Sequence, residues 1–136
     1  MIKFTIPGPP VGKARPRVAH GHAYTPAATR EYEARVRAAW RASGGGSFAQ
    51  EAPVAALIAV YHPIPASASK KDRENMAQNI ILPMKKPDAD NIAKIVLDAL
   101  NGLAYQDDRQ VVRLEVVKRY APDPCVKVAL SEAADI

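Results

Sequence analysis

Five of the eight aspartates in this 136-residue chain, Asp88, Asp90, Asp98, Asp107 and Asp108, fall between positions 88 and 108, although the chain as a whole is basic. Each has a plain reading. Asp88 or Asp90 could cap the helix that begins there, near the positive end of its dipole. Asp90, Lys94 and Asp98 stand at i, i+4 and i+8, the spacing of an exposed ion-pair ladder worth about 0.3–0.5 kcal/mol per pair. Asp107-Asp108 could be an ordinary turn. Taken together they ask for more, because one cap needs one aspartate. If the strand after Asp108 packs beside the helix start, Asp88, Asp90 and Asp108 form a set of carboxylates that repel one another unless a cation sits among them. All-oxygen ligands suit Mg2+ or Mn2+. His20, His22 and His62 lie far from this stretch in sequence, so no softer site forms. A carboxylate-held Mg2+ on a basic surface is what phosphodiester hydrolysis requires: the ion activates water and neutralises charge on the phosphate, and lysines and arginines hold the polyanion.

Those residues need elements to carry them. The alternating "IKFTI" predicts a strand over 2–6. The proline- and glycine-rich stretch to position 26 predicts a loop, with room for a short extended piece. Thr25-Pro26 predicts a helix start, and Tyr32, Val36 and Trp40 predict its buried stripe as far as Ala42. "PVAALIAVYH" over 53–62 predicts a central strand, and 69–78 a short helix. Beyond Pro87, Ile92, Ile95, Val96, Ala99, Leu100 and Leu103 predict an amphipathic helix with Gly102 at its C-cap. Residues 110–120 and 125–132 predict two strands, joined through "APDP" as an antiparallel pair. The expected fold is a small single α/β domain over 1–136, a mixed sheet with helices packed on it, in the order β-α-β-(α)-α-β-β.

Composition sets the outer bounds. The net charge of +5 and a pI near 9.5 favour a polyanionic partner. One cysteine, Cys125, forms no intrachain disulfide, and a reducing cytoplasmic setting is expected. The N-terminus does not read as a signal peptide, and no apolar run approaches the ~20 residues of a membrane span. Lys13, Arg15, Arg17, Lys70, Lys71 and Arg73 are the candidate DNA contacts; their plain alternative is a solvated basic loop.

The segment "KKPDADNIAKIVLDALNGLAYQDDRQVVRLEVVKRY" closely resembles the core of the RusA-type Holliday-junction resolvases. Those proteins carry a K/R-P-D-x-D-N-hydrophobic-x-K helix start, a D-A-L-N-G helix end and a D-D-x-Q-V/I strand entry, in this order and spacing. "KARPRVAHGHAYTPAATREYE" resembles the family's basic loop and first helix, so the likeness spans about residues 1–132. It implies a homodimeric, Mg2+- or Mn2+-dependent endonuclease that cuts two opposing strands of a four-way junction. The resemblance puts the metal-binding carboxylates on Asp88, Asp90 and Asp108 and the catalytic lysine on Lys94. Asp98 and Asp107 read first as helix-surface and turn residues and second as partners that support the metal-binding carboxylates, and Asn91 as a residue that orients a ligand or a cap. Two other classes stand beside this one. A non-catalytic branched-DNA binder would need the basic face but not the three carboxylates. A metal-dependent nucleotide or nucleotide-sugar enzyme could use the D-x-D pair, but the chain has no phosphate-cradling strand–loop–helix.

Overall fold

A computed structural model describes residues 1–133. Its main sheet contains β1 (Ile2–Pro7), β4 (Val54–Pro63), β5 (Val111–Ala121) and β6 (Cys125–Glu132), in the spatial order β1-β6-β4-β5. A separate hairpin joins β2 (Arg17–Ala19) to β3 (His22–Tyr24). The helices are α1 (Ala27–Ala42), α2 (Lys70–Ala77) and α3 (Ala89–Ala99), and a 3-10 turn over Asp108–Gln110 leads into β5.

One face of the sheet is the core face, and strand alternation selects its residues. Phe4 and Ile6, Val54, Ala56, Ile58 and Val60, and Val126, Val128 and Leu130 are buried there. The helices answer with the stripes their periodicity predicts: Tyr32, Val36 and Trp40 from α1, and Ile92, Ile95, Val96, Ala99 and Leu100 from α3. Phe4 and Trp40 meet edge to face at 5.6 Å.

The central position of β4 is as expected, but the pairing of β5 with β6 is not. β4 lies between them, parallel to β5 and antiparallel to β6. The linker Pro122–Asp123–Pro124 carries the chain over the end of β4 instead of closing a tight hairpin, and its two prolines have no N–H to offer a ladder. β4 and β5 are then a parallel pair, and α2 and α3 supply the crossover that a parallel pair requires. The start of α1 also differs. Pro26 itself occupies the N-cap position, with no side-chain cap from Thr25. α3 ends at Ala99 with Leu100 as its C-cap, and Gly102, at φ +73, makes the left-handed turn just beyond.

Candidate active site and nucleic-acid interface

α3 presents its polar residues along one side. Asp88 is the N-cap residue, in extended conformation and making no capping hydrogen bond, and Asp90 lies in the first turn. Both are exposed. Lys94 follows one turn later, 61% exposed, and its ammonium pairs with Asp98 at 3.5 Å. The peptide bond before Pro87 is cis.

The loop after β1 docks onto this helix. The Lys13 N–H donates to the Asn91 carbonyl at 2.9 Å. Gly12 lies so close to α3 that a Cβ there would sit 2.8 Å from Pro87 Cβ and 3.2 Å from Asn91 Cβ, so only glycine lets the backbone approach. The Lys13 side chain, 19% exposed, reaches between Glu33 of α1 at 3.0 Å and Asp98 of α3 at 3.3 Å. Burial pulls its pKa down, but hydrogen bonds and charge from Glu33 and Asp98 outweigh this and leave it raised. Lys13 is therefore the point where loop, α1 and α3 are tied together, through Glu33 and Asp98. Glu33 carries no sequence signal for this role, because its partner comes from a different element.

Asp108 lies at the other end of α3. Asp107 caps the 3-10 turn through a hydrogen bond from the Arg109 N–H at 2.9 Å, and Gln110 completes a capping box. Gln110 also ties the turn to the Ala49 and Ala52 carbonyls. Burial raises the Asp108 pKa, reinforced by a hydrogen bond with Asp107 and by the charges of Asp98 and Asp107; a hydrogen bond with Asn101 offsets part of this. Beneath it, the buried Tyr105 hydroxyl donates to the Leu97 carbonyl at 2.7 Å. The carboxylates near Asp108 are thus Asp98 and Asp107. Asp90 and Asp98 are eight residues apart on the helix, about 12 Å along its axis. Among the described residues, no group of three or more Asp, Glu, His or Cys side chains converges closely enough to hold a metal ion. Within one chain, Asp88, Asp90 and Asp108 do not fit a divalent-ion centre.

The basic candidates divide into two groups. Arg15 and Arg17 are exposed, Arg17 on the β2–β3 hairpin. His20 (φ 53) and Gly21 (φ 76) form its two-residue tip, with the positive φ values of a type I′ turn. Lys70 and Lys71 are exposed in the first turn of α2. Lys13 and Arg73 are engaged within the chain. The Arg73 guanidinium donates to the Ala68, Pro65 and Ala66 carbonyls and latches the loop before α2.

Near the α3 start lies a group of side chains drawn from β4 and β5 and from the segment before Pro87. The Lys118 ammonium donates to the Lys85 carbonyl at 2.6 Å, and the Lys85 ammonium lies 5.5 Å from the Tyr120 ring centroid. Behind them His62 is buried, 6.4 Å from the Tyr120 ring, with Nε2 unpartnered.

A family model described as Endodeoxyribonuclease RusA matches residues 7–131, which includes the docked loop, all of α3, Asp108, β4, β5 and nearly all of β6. The chain belongs to the RusA endodeoxyribonuclease family. It is also similar to "Uncharacterized protein YqaN" of Bacillus subtilis (strain 168), at 39% identity over 142 aligned positions that cover 98% of this chain and 97% of that one. Family membership places this RusA-family chain among the nucleases, and among proteins that act on junction DNA. No helix among the described residues is long and apolar enough to cross a membrane.

Proposed function

We propose that this protein is a Mg2+- or Mn2+-dependent, structure-selective endodeoxyribonuclease that resolves four-way DNA junctions by paired, symmetric strand cleavage as a homodimer. Asp88, Asp90 and Asp108 are its essential carboxylates, and Lys94 is the charge that meets the scissile phosphate. The observation that carries this reading is the family match across residues 7–131. The exposure of the Lys94 ammonium supports its role, since a donor for phosphate must reach solvent. Arg15, Arg17, Lys70 and Lys71 are the phosphate contacts that the exposed surface favours.

The separation of Asp108 from Asp88 and Asp90 supports the homodimer, because a site using all three must draw on two copies. β5 is the element suited to join them. It pairs with β4 and with no other strand among the described residues, and its free edge carries Val112 and Leu114, 57% and 46% exposed. It also runs opposite to α3. Asp108 precedes it beside Asp98 at the end of α3, and Lys118, late in it, touches Lys85 before the α3 start. Antiparallel pairing of two β5 edges would carry Asp108 of a second copy towards Asp88 and Asp90 of the first. A C2 dimer would present two such sites to the two-fold-related strands of a junction.

The lack of a three-carboxylate group among the described residues of a single chain favours one other reading, a branched-DNA binder that does not cut. Labelled four-way junction and linear duplex, incubated with the protein in Mg2+ or in EDTA, distinguish them. Paired nicks in the junction with Mg2+ alone support the resolvase; binding with no metal-dependent product supports the binder.

A further inference from the structure

We infer that the face of the sheet turned away from the helices is a second DNA-binding surface, which holds a duplex arm by its phosphates. The inference rests on the proposal that the substrate is branched DNA, and it concerns residues on the side of the sheet opposite α3.

Strand register places Lys3 and Thr5 of β1, Lys127, Ala129 and Ser131 of β6, Ala55, Leu57, Ala59 and Tyr61 of β4, and Arg113, Glu115, Val117 and Arg119 of β5 on this open face. Its floor is alanine-rich, and two adjoining depressions of about 290 and 370 Å3 cross it, sharing Lys3, Leu57 and Ala129. Lys3, Lys127 and Arg113 line them, and Arg119 lies farther along β5 on the same face; among the described residues of this face Glu115 is the one carboxylate, and all five side chains are exposed. Lys127 rests its ammonium 5.4 Å from the Tyr61 ring centroid, which keeps it at the rim.

The spacing suits a duplex. The β6 and β1 cations stand two and three strand positions from β5, about 10 to 14 Å away. That compares with a major groove about 12 Å wide, bordered by a phosphate row on each side. Arg113 and Arg119 are six residues apart on one strand, about 20 Å, the length of roughly six base pairs. A second copy of the chain is the poorer occupant. Two such faces would oppose like charges, and the one aromatic side chain among the residues placed on this face, Tyr61, already has the Lys127 ammonium against its ring. A junction offers arms on different sides, so one protein can hold one arm at α3 and another on the sheet.

The test is equilibrium binding of the full chain to a labelled four-way junction over a salt series, beside the variant Lys3→Gln/Arg113→Gln/Lys127→Gln. Each lost contact should flatten the log–log salt slope by about 0.9, so the triple variant should lose more than 2 from that slope and at least tenfold in affinity. Its single-turnover rate at saturating junction and its sedimentation mass should be unchanged. Glu115→Gln, which removes the lone carboxylate, should bind several-fold more tightly. An unaltered slope in the triple variant, or a change in its mass, overturns the inference. Wild-type protein that binds junctions but cuts none with Mg2+ would refute the nuclease reading alone and leave the slope comparison standing.

Discussion

One carboxylate oxygen, Asp98 Oδ2, is shared by two ammonium groups, Lys13 at 3.3 Å and Lys94 at 3.5 Å. The first anchors the loop after β1; the second is the proposed phosphate ligand. Because the Lys13 pKa is raised above 10.5, the anchor holds through neutral pH and is lost only as pH climbs past that value. Lys13→Met removes the ammonium that bridges Glu33 and Asp98, and leaves Asp98 with Lys94 alone. It should lower stability by about 1–3 kcal/mol, read in thermal or urea unfolding, and speed protease cleavage in the 11–16 loop. Because the Lys13 ammonium is already paired, the same change should leave the salt slope of DNA binding nearly unaltered, whereas Arg15→Ala/Arg17→Ala should flatten it.

Lys94 is mostly exposed, and its pair with Asp98 is an i,i+4 surface pair worth well under ~1 kcal/mol. Lys94→Ala should therefore keep the thermal midpoint and junction affinity close to wild type. If the ammonium stabilises charge on the phosphate, the single-turnover cleavage rate should fall ~10²–10³-fold. Arginine there should restore only part of it, since its planar fork does not reproduce a compact ammonium. A rate within a few-fold of wild type in Lys94→Ala would reduce the lysine to half of an ion pair.

His62 gives the fold a pH dependence. Burial, with Lys118 and Lys85 nearby, lowers its pKa from 6.5 to about 4; Tyr120 is the other titratable group packed on it. The folded state thus keeps His62 neutral while the unfolded chain takes up the proton. Stability should hold above pH 6.5 and decline as pH falls from 6.5 towards 4, by at most roughly 3 kcal/mol. His62→Phe keeps an aromatic against Tyr120 and removes the titration. Its unfolding free energy should vary less between pH 7 and 4.5 than that of wild type.

If the β5 edge joins two copies, a charge on it should separate them. Leu114→Glu should sediment at the monomer mass while retaining the far-ultraviolet circular dichroism of the folded chain. Junction cleavage should be lost with the dimer. A Leu114→Glu protein that remains dimeric and active would move the interface elsewhere.

Most of the elements are legible in the sequence, because Tyr32, Val36 and Trp40, the stripe from Ile92 to Leu100 and the alternation of β1 and β6 are local patterns. The place of β5 is not, since strand alternation gives direction and face but no partner. The apolar run of β4 also looks like a strand buried on both faces, yet Ala55, Leu57 and Ala59 line the open side. At the candidate site, spacing alone put Asp90, Lys94 and Asp98 on one helix face. It could not show that Asp108 stands beside Asp98, or that Lys13 and Arg73 are engaged by their own chain, because those contacts depend on the crossover and on loop docking.

The most direct test of the central claim is single-turnover cleavage of a labelled four-way junction by wild type, Asp90→Asn and Asp108→Asn, each in Mg2+ and in EDTA, with junction binding measured in parallel. Wild type should release paired, symmetric nicked products in Mg2+ and none in EDTA. Both variants should bind the junction and fail to cut it, since asparagine keeps the shape and removes the charge. Cleavage by wild type in EDTA, or cleavage by either variant at near wild-type rate in Mg2+, would contradict the assignment of these carboxylates to a metal-dependent resolvase.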